Sequence, residues 1–119
     1  MVEQRYRSLE IWKRGIELAK TVYAITKIFP HTEVYGLASQ LQRAAVSVPS
    51  NIAEGSYRKT ANDFCQFLSI AAGSLAEVDA QLEIASELGF FTYDQPMRDE
   101  VCELLKVIRS FSFTLTHPR

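Results

Sequence analysis

Apolar residues recur along the chain at intervals of three and four, and nowhere does a period-two alternation last the length of a strand. Four helical segments follow from that pattern. The first is predicted from about Leu9 to Phe29, with Ser8 as N-cap and Pro30 as the stop. It carries two neighbouring seams, Trp12, Ile16, Ala19 and Tyr23 on one and Ile11, Leu18, Val22, Ile25 and Phe29 on the other. One seam suffices for a bundle core, so the second is available to a neighbouring subunit. The second segment is predicted to start near Thr32 as N-cap and to place Val34, Ala38, Leu41, Ala45, Val48 and Ile52 inward.

The third segment opens on the capping sequence Thr60-Ala61-Asn62-Asp63 and closes at Leu88, with Gly89 in the usual C′ position. Its apolar residues alternate by four and three, Phe64, Leu68, Ala71, Leu75, Val78, Leu82 and Ala85, which is the heptad of a left-handed bundle seam. Beside that seam run Ser69, Ala72, Gly73, Ala76 and Ala80. A glycine in mid-helix costs about 1 kcal/mol relative to alanine, so close backbone approach is expected at Gly73. The fourth segment follows Thr92-Tyr93-Asp94-Gln95, a second capping-box candidate, with Pro96 in its first turn and Met97, Val101, Leu104, Ile108 and Phe111 inward. Short connections favour antiparallel neighbours. The expected fold is all-α, an antiparallel up-down-up-down four-helix bundle forming one domain over residues 1–119.

Within the second segment, Pro49 removes a hydrogen bond to the Ala45 carbonyl and presses its ring on that group, at a cost of about 3 kcal/mol in a helix interior. The helix could stop at Val48 and restart on Ser47, Ser50 or Asn51. It could instead continue with a kink. Leu41, Ala45, Val48 and Ile52 hold one seam straight through the proline, which favours a continuous, kinked helix. A polar stripe crosses the same point: Arg43, Ser47, Ser50, Glu54 and Arg58, with Asn51 beside it and Glu54 and Arg58 as an i,i+4 pair.

The formal net charge is -1, so no bulk field gathers polyanions. The halves differ, however. Residues 1–59 hold nine Lys/Arg against five Asp/Glu, and residues 60–119 hold four against nine. Every charged residue from Asp63 to Glu87 is acidic. Opposite-sign surfaces on one chain suit self-association at least as well as binding to nucleic acid. Cys65 and Cys102 fall in helical patterns with no Cys/His partner at metal spacing and read as small buried thiols of a reducing cytosol. No apolar leader and no membrane-length apolar run is present, so a cytoplasmic protein is expected.

Candidate catalytic chemistry is sparse. His31 and His117 both flank prolines at segment ends, and the Glu-x-x-His pairs of a di-iron bundle are missing. Ser47 and Ser50 have no histidine base nearby, and Gly55 and Gly73 belong to no phosphate loop. No enzyme, cofactor, metal or small-molecule substrate is expected.

The run FPHTEVYGLASQLQRAAVSVPSNIAEGSYR, followed by FCQFLSIAAGSLAEVDAQLEIASELGF, closely resembles the bacterial four-helix-bundle proteins first noticed as reading frames in intervening sequences of 23S ribosomal RNA genes. The resemblance runs from Trp12-Lys13 to about Phe91, and is most specific at Phe29-Pro30, Glu33, Tyr35-Gly36-Leu37, Gln40-Leu41, Arg43-Ala44-Ala45 and Ser47 to Gly55. It implies a cytosolic, non-enzymatic bundle that assembles as a ring-like homopentamer. Relatives include accessory proteins of diversity-generating retroelements, which associate with a reverse transcriptase and nucleic acid and are strongly basic. This chain departs from them in charge.

Two functional expectations result. The leading one is a homo-oligomeric binding scaffold whose stripe Arg43, Ser47, Pro49, Ser50, Asn51, Glu54 and Arg58 contributes to assembly. The alternative is a nucleic-acid-binding accessory protein, with Lys13, Arg14, Lys20, Arg43, Arg58 and Lys59 as phosphate contacts multiplied by oligomerisation. Against the alternative, no basic-aromatic cluster forms a single-strand platform and the third helix repels phosphate.

Overall fold

In the computed structural model, which describes residues 6–118, four helices and no strand are formed among the described residues. They are α1 (Glu10–Thr26), α2 (Leu37–Ser56), α3 (Ala61–Glu87) and α4 (Gln95–Thr116), with a 3-10 turn at His31–Glu33. Each helix packs on the next in sequence, and α1 touches α4 more sparingly. The core divides into two clusters. Val22, Phe29, Ala38, Leu41, Val78, Leu82 and Tyr93 fill one end, and Ile11, Val48, Ile52, Leu68, Leu75, Val101, Leu104 and Ile108 fill the other. The α3 heptad is buried from Leu68 to Ala85, with Phe64 half-buried at its start.

The helix ends follow their local chemistry, sometimes against expectation. Thr60 caps α3 as predicted, its hydroxyl accepting from Asp63 N at 3.1 Å. At the far end Gly89 takes φ 81°, and the amides of Gly89 and Phe90 donate back to the Ser86 and Ala85 carbonyls. That is the double bond of a Schellman ending, which needs a residue without a Cβ. For α4 the cap is Asp94 rather than Thr92, because Asp94 reaches Met97 N at 3.1 Å and leaves Pro96 without an amide to satisfy. Ser8 does not cap α1. A short 3-10 turn over residues 6–8 shifts the cap position to Leu9, which offers no side-chain acceptor.

Thr32 does not open α2 either. Residues 31–33 close a 3-10 turn instead, and the helix begins four residues later, after Gly36. The Glu33 carboxylate accepts from Leu37 N at 3.0 Å, placing a negative charge at the helix N-terminus. A Cβ on Gly36 would lie 2.9 Å from that carboxylate oxygen, so glycine keeps the cap open. Val34, predicted inward, is consequently exposed, as is Tyr23 from the seam that α1 shares with Trp12, Ile16 and Ala19.

Helix α2 runs unbroken through Pro49, as the apolar phase predicts. The proline is buried, and its ring lies on Gly15 of α1, where a Cβ would come within 3.2 Å of Pro49 Cβ. A second close approach lies at Gly55, where a Cβ would stand 2.7 Å from Phe67 Cβ and 2.8 Å from Phe64 Cδ1. The approach expected at Gly73 is absent: a Cβ there meets nothing within 4 Å. The small residues Ser69, Ala72, Gly73 and Ala76 instead floor a furrow beside α4. Cys65 is half-buried and donates to the Ser112 carbonyl at 3.3 Å, whereas Cys102 is exposed, contrary to expectation, on the outer side of α4.

Candidate assembly surface

The polar stripe of α2 lies along the border with α3 and divides into an inner and an outer part. Ser47 and Asn51 are half-buried. Ser47 Oγ shares a 2.8 Å hydrogen bond with Ser74 Oγ of α3, and Asn51 Nδ2 donates to both the Oγ and the carbonyl of Ser47 at 2.8 Å. Ser47 joins α2 to α3 inside one chain, and Ser47 and Asn51 stand two residues either side of Pro49. The remaining members, Arg43, Ser50, Glu54 and Arg58, are exposed. Glu54 and Arg58 make the predicted i,i+4 pair at 2.8 Å, and the Arg58 guanidinium also covers the Phe67 ring at 4.6 Å.

Helix α3 presents to the same side a second seam, one residue out of step with its core seam. Phe67, Ser74, Gln81 and Leu88 form one heptad row, and Ile70, Glu77 and Ile84 the next. Ile70, Ile84 and Leu88 are 51, 49 and 60% exposed, so large aliphatic side chains face water at both ends of this face. Its centre is polar: Arg43, Ser47, Ser74, Glu77 and Gln81 line a shallow depression. Gln81 Oε1 is buried there without a hydrogen-bond donor among the described residues. The spacing of Phe67, Ile70, Ile84 and Leu88 is visible in the sequence, but only the packing of α2 on α3 shows which seam remains outside.

The cations proposed as phosphate contacts do not converge. Arg14 lies in the wall between α1 and α4, 4.0 Å from Glu100, while Arg43 stands on the α2/α3 side. Lys20 is 3.4 Å from Glu17, and Arg58 is held by Glu54. Lys13 and Lys59 are exposed.

Sequence reasoning missed a polar latch between the end of α3 and the start of α4. Tyr93 is buried and donates its hydroxyl to Asp79 Oδ1 at 2.7 Å. Arg98 covers the Tyr93 ring at 4.4 Å, donates to the Tyr93 carbonyl at 3.0 Å and pairs with Glu83. Burial first, and then the bond to Asp79, push the Tyr93 phenol well above its ordinary value. The hydrogen bond from Arg98 holds Glu83 below the usual carboxylate value and raises Arg98 in turn. The readable signal was Asp79 and Glu83 one turn apart, followed after a short loop by an aromatic residue and an arginine.

Among the described residues, no group of three His, Cys, Asp or Glu side chains is placed to hold a metal ion. No helix is long and apolar enough to cross a membrane. Comparison with curated proteins gives no match. A family model described as 23S rRNA-intervening sequence protein matches residues 7–110, a span that contains all of α1, α2 and α3 and most of α4. With four mutually packed helices and a match over most of its length, the chain belongs to the 23S rRNA-intervening sequence protein family.

Proposed function

We propose that the protein is a non-enzymatic, cytoplasmic scaffold that works as a homo-oligomer, pentameric in keeping with the family resemblance. In this reading the helices follow an up-down-up-down course, and a bend at Pro49 shapes the surface through which copies meet. The observation that carries the proposal is the second seam of α3. Ile70, Ile84 and Leu88 are exposed on the face that also holds the α2 stripe. Large aliphatic residues left exposed along one helix face mark a surface that becomes buried on association. The unmatched Gln81 acceptor adds a hydrogen-bond site for a neighbour at that centre. Opposite charge on the two halves of the chain favours head-to-tail contact, the acidic α3 of one copy meeting the more basic α1 of the next.

Size exclusion coupled to light scattering tests this reading. At micromolar concentration the chain is expected at a mass about five times its 13.5 kDa. Ile84→Glu, at an exposed site, is expected to yield helical monomers. A clean monomer for the unaltered chain would sink the proposal. Nucleic-acid binding gains no comparable support, since Arg14, Lys20 and Arg58 already lie beside carboxylates and the cations occupy different sides.

A further inference from the structure

The α1–α2 connection carries the most exposed aromatic residue among the described residues. Tyr35 is 96% exposed, with Ile28 and Val34 also open to water on the same connection. The segment that presents it is not slack. Glu33 N donates to the Pro30 carbonyl at 2.9 Å, Val34 N to His31, Gly36 N to Glu33, and the Glu33 carboxylate takes Leu37 N. Each bond removes freedom from the turn, so the tyrosine is held out on a pre-set support. Preorganisation of that kind lowers the entropy lost on docking.

A groove is also left without an occupant among the described residues. Between α1 and α4, which touch sparingly, a cleft of about 420 Å³ is floored by Leu18, Met97, Val101 and Leu104. Its rim holds three carboxylates, Glu17, Asp94 and Glu100, against one cation, Arg14, which reaches Glu100 only at 4.0 Å. The connection around Tyr35 turns its cation, not its carboxylate, outward. Lys27 is exposed on it, and its one carboxylate, Glu33, is turned back to cap α2.

We propose that the α1–α2 connection of one copy, led by Tyr35, docks in the α1/α4 groove of the next copy. The ring and its aliphatic neighbours cover the apolar floor, and the phenol donates to a rim carboxylate, as Tyr93 does to Asp79 within the chain. Arg14 lies where it can face the ring. Lys27 meets an acidic rim, which gives the contact its polarity. Knob and groove are different patches of one chain, so the contact is heterologous and joins successive copies head to tail. The inference rests on the self-association proposed above and names one contact within it.

The unaltered chain is first sized by light scattering, and benzoylphenylalanine then replaces Tyr35 for photo-cross-linking, with adducts mapped by mass spectrometry. Docking predicts inter-chain adducts within residues 14–21 or 94–104. Tyr35→Ala and Thr21→Lys, both at exposed positions, are each expected to raise the dissociation concentration about tenfold or more while helix content is unchanged. A monomeric unaltered chain overturns this contact together with the scaffold reading. An oligomer whose adducts lie only elsewhere, or whose dissociation is unmoved by both variants, overturns the docking alone and leaves the scaffold standing.

Discussion

Replacing glycine by alanine at two places on the packed helices separates backbone propensity from packing. Alanine is favoured over glycine inside a helix by about 0.5–1 kcal/mol. At Gly73 the new methyl meets nothing within 4 Å, so Gly73→Ala collects that gain. At Gly55 the methyl would stand 2.7 Å from Phe67 Cβ and 2.8 Å from Phe64 Cδ1. Phe67 Cβ is bonded directly to the α3 backbone and cannot swing aside, so α2 and α3 must separate locally. Overpacking of this kind costs about 1–3 kcal/mol, which outweighs a propensity gain that is already reduced in the last turn of α2. Gly55→Ala is therefore expected to lose roughly 0–2 kcal/mol, and the two variants to differ by about 1–3 kcal/mol. Urea unfolding followed by helical circular dichroism at one fixed chain concentration reads this difference, with midpoints moving in opposite directions and an unchanged slope. Equal upward shifts for both variants would refute the close approach at Gly55. A loss at Gly73→Ala would refute the open space over it, and would mean that a neighbouring chain fills that space.

The latch predicts a pH signature. Because the folded state raises the Tyr93 phenol, the stability it contributes is complete below the ordinary value of 10.0 and is lost as pH climbs through the raised one. Tyr93→Phe should cost about 1 kcal/mol near neutrality and narrow that gap as the alkaline limit is approached, which urea midpoints from pH 8 upward would show; a gap that widens with pH contradicts the assignment. Glu83 has the opposite sign, since its lowered value adds stability above 4.5 that is lost on acidification. Arg98→Ala should flatten the acid limb of the stability profile, and an unchanged limb would mean the pair carries none of it. Finally, Glu33→Ala removes the carboxylate from Leu37 N and should lower stability by about 1 kcal/mol, with amide exchange rising first at the start of α2.

The fold was legible wherever local chemistry and the helical period agree. The α3 seam, the Thr60 cap and the Gly89 ending each need only neighbours three or four residues away, and all three are present. The same holds for Glu54–Arg58, an i,i+4 pair. Where competing local solutions exist, the pattern misled. Ser8, Thr32 and Thr92 are all acceptable caps in isolation, but Leu9 occupies the cap position in the first case, and Glu33 and Asp94 provide the caps in the others. The candidate surface was half legible: the α2 stripe could be traced along the chain, yet its division into inner and outer members could not. Ser47 is turned inward because Ser74 lies opposite it, a contact across 27 residues that periodicity does not carry.

The sequence by itself determined that the chain is all-helical, how many helices it has, and which α3 residues enter the core. Those properties follow from side-chain spacing and backbone propensity, which act over a single turn. Only the tertiary structure decided that Pro49 rests on Gly15, that Gly55 rather than Gly73 is the close approach, and that Ile70, Ile84 and Leu88 stay in water. These depend on how one helix is rotated against another. That rotation is selected by the summed packing of both core clusters, and no stretch of one helix contains it.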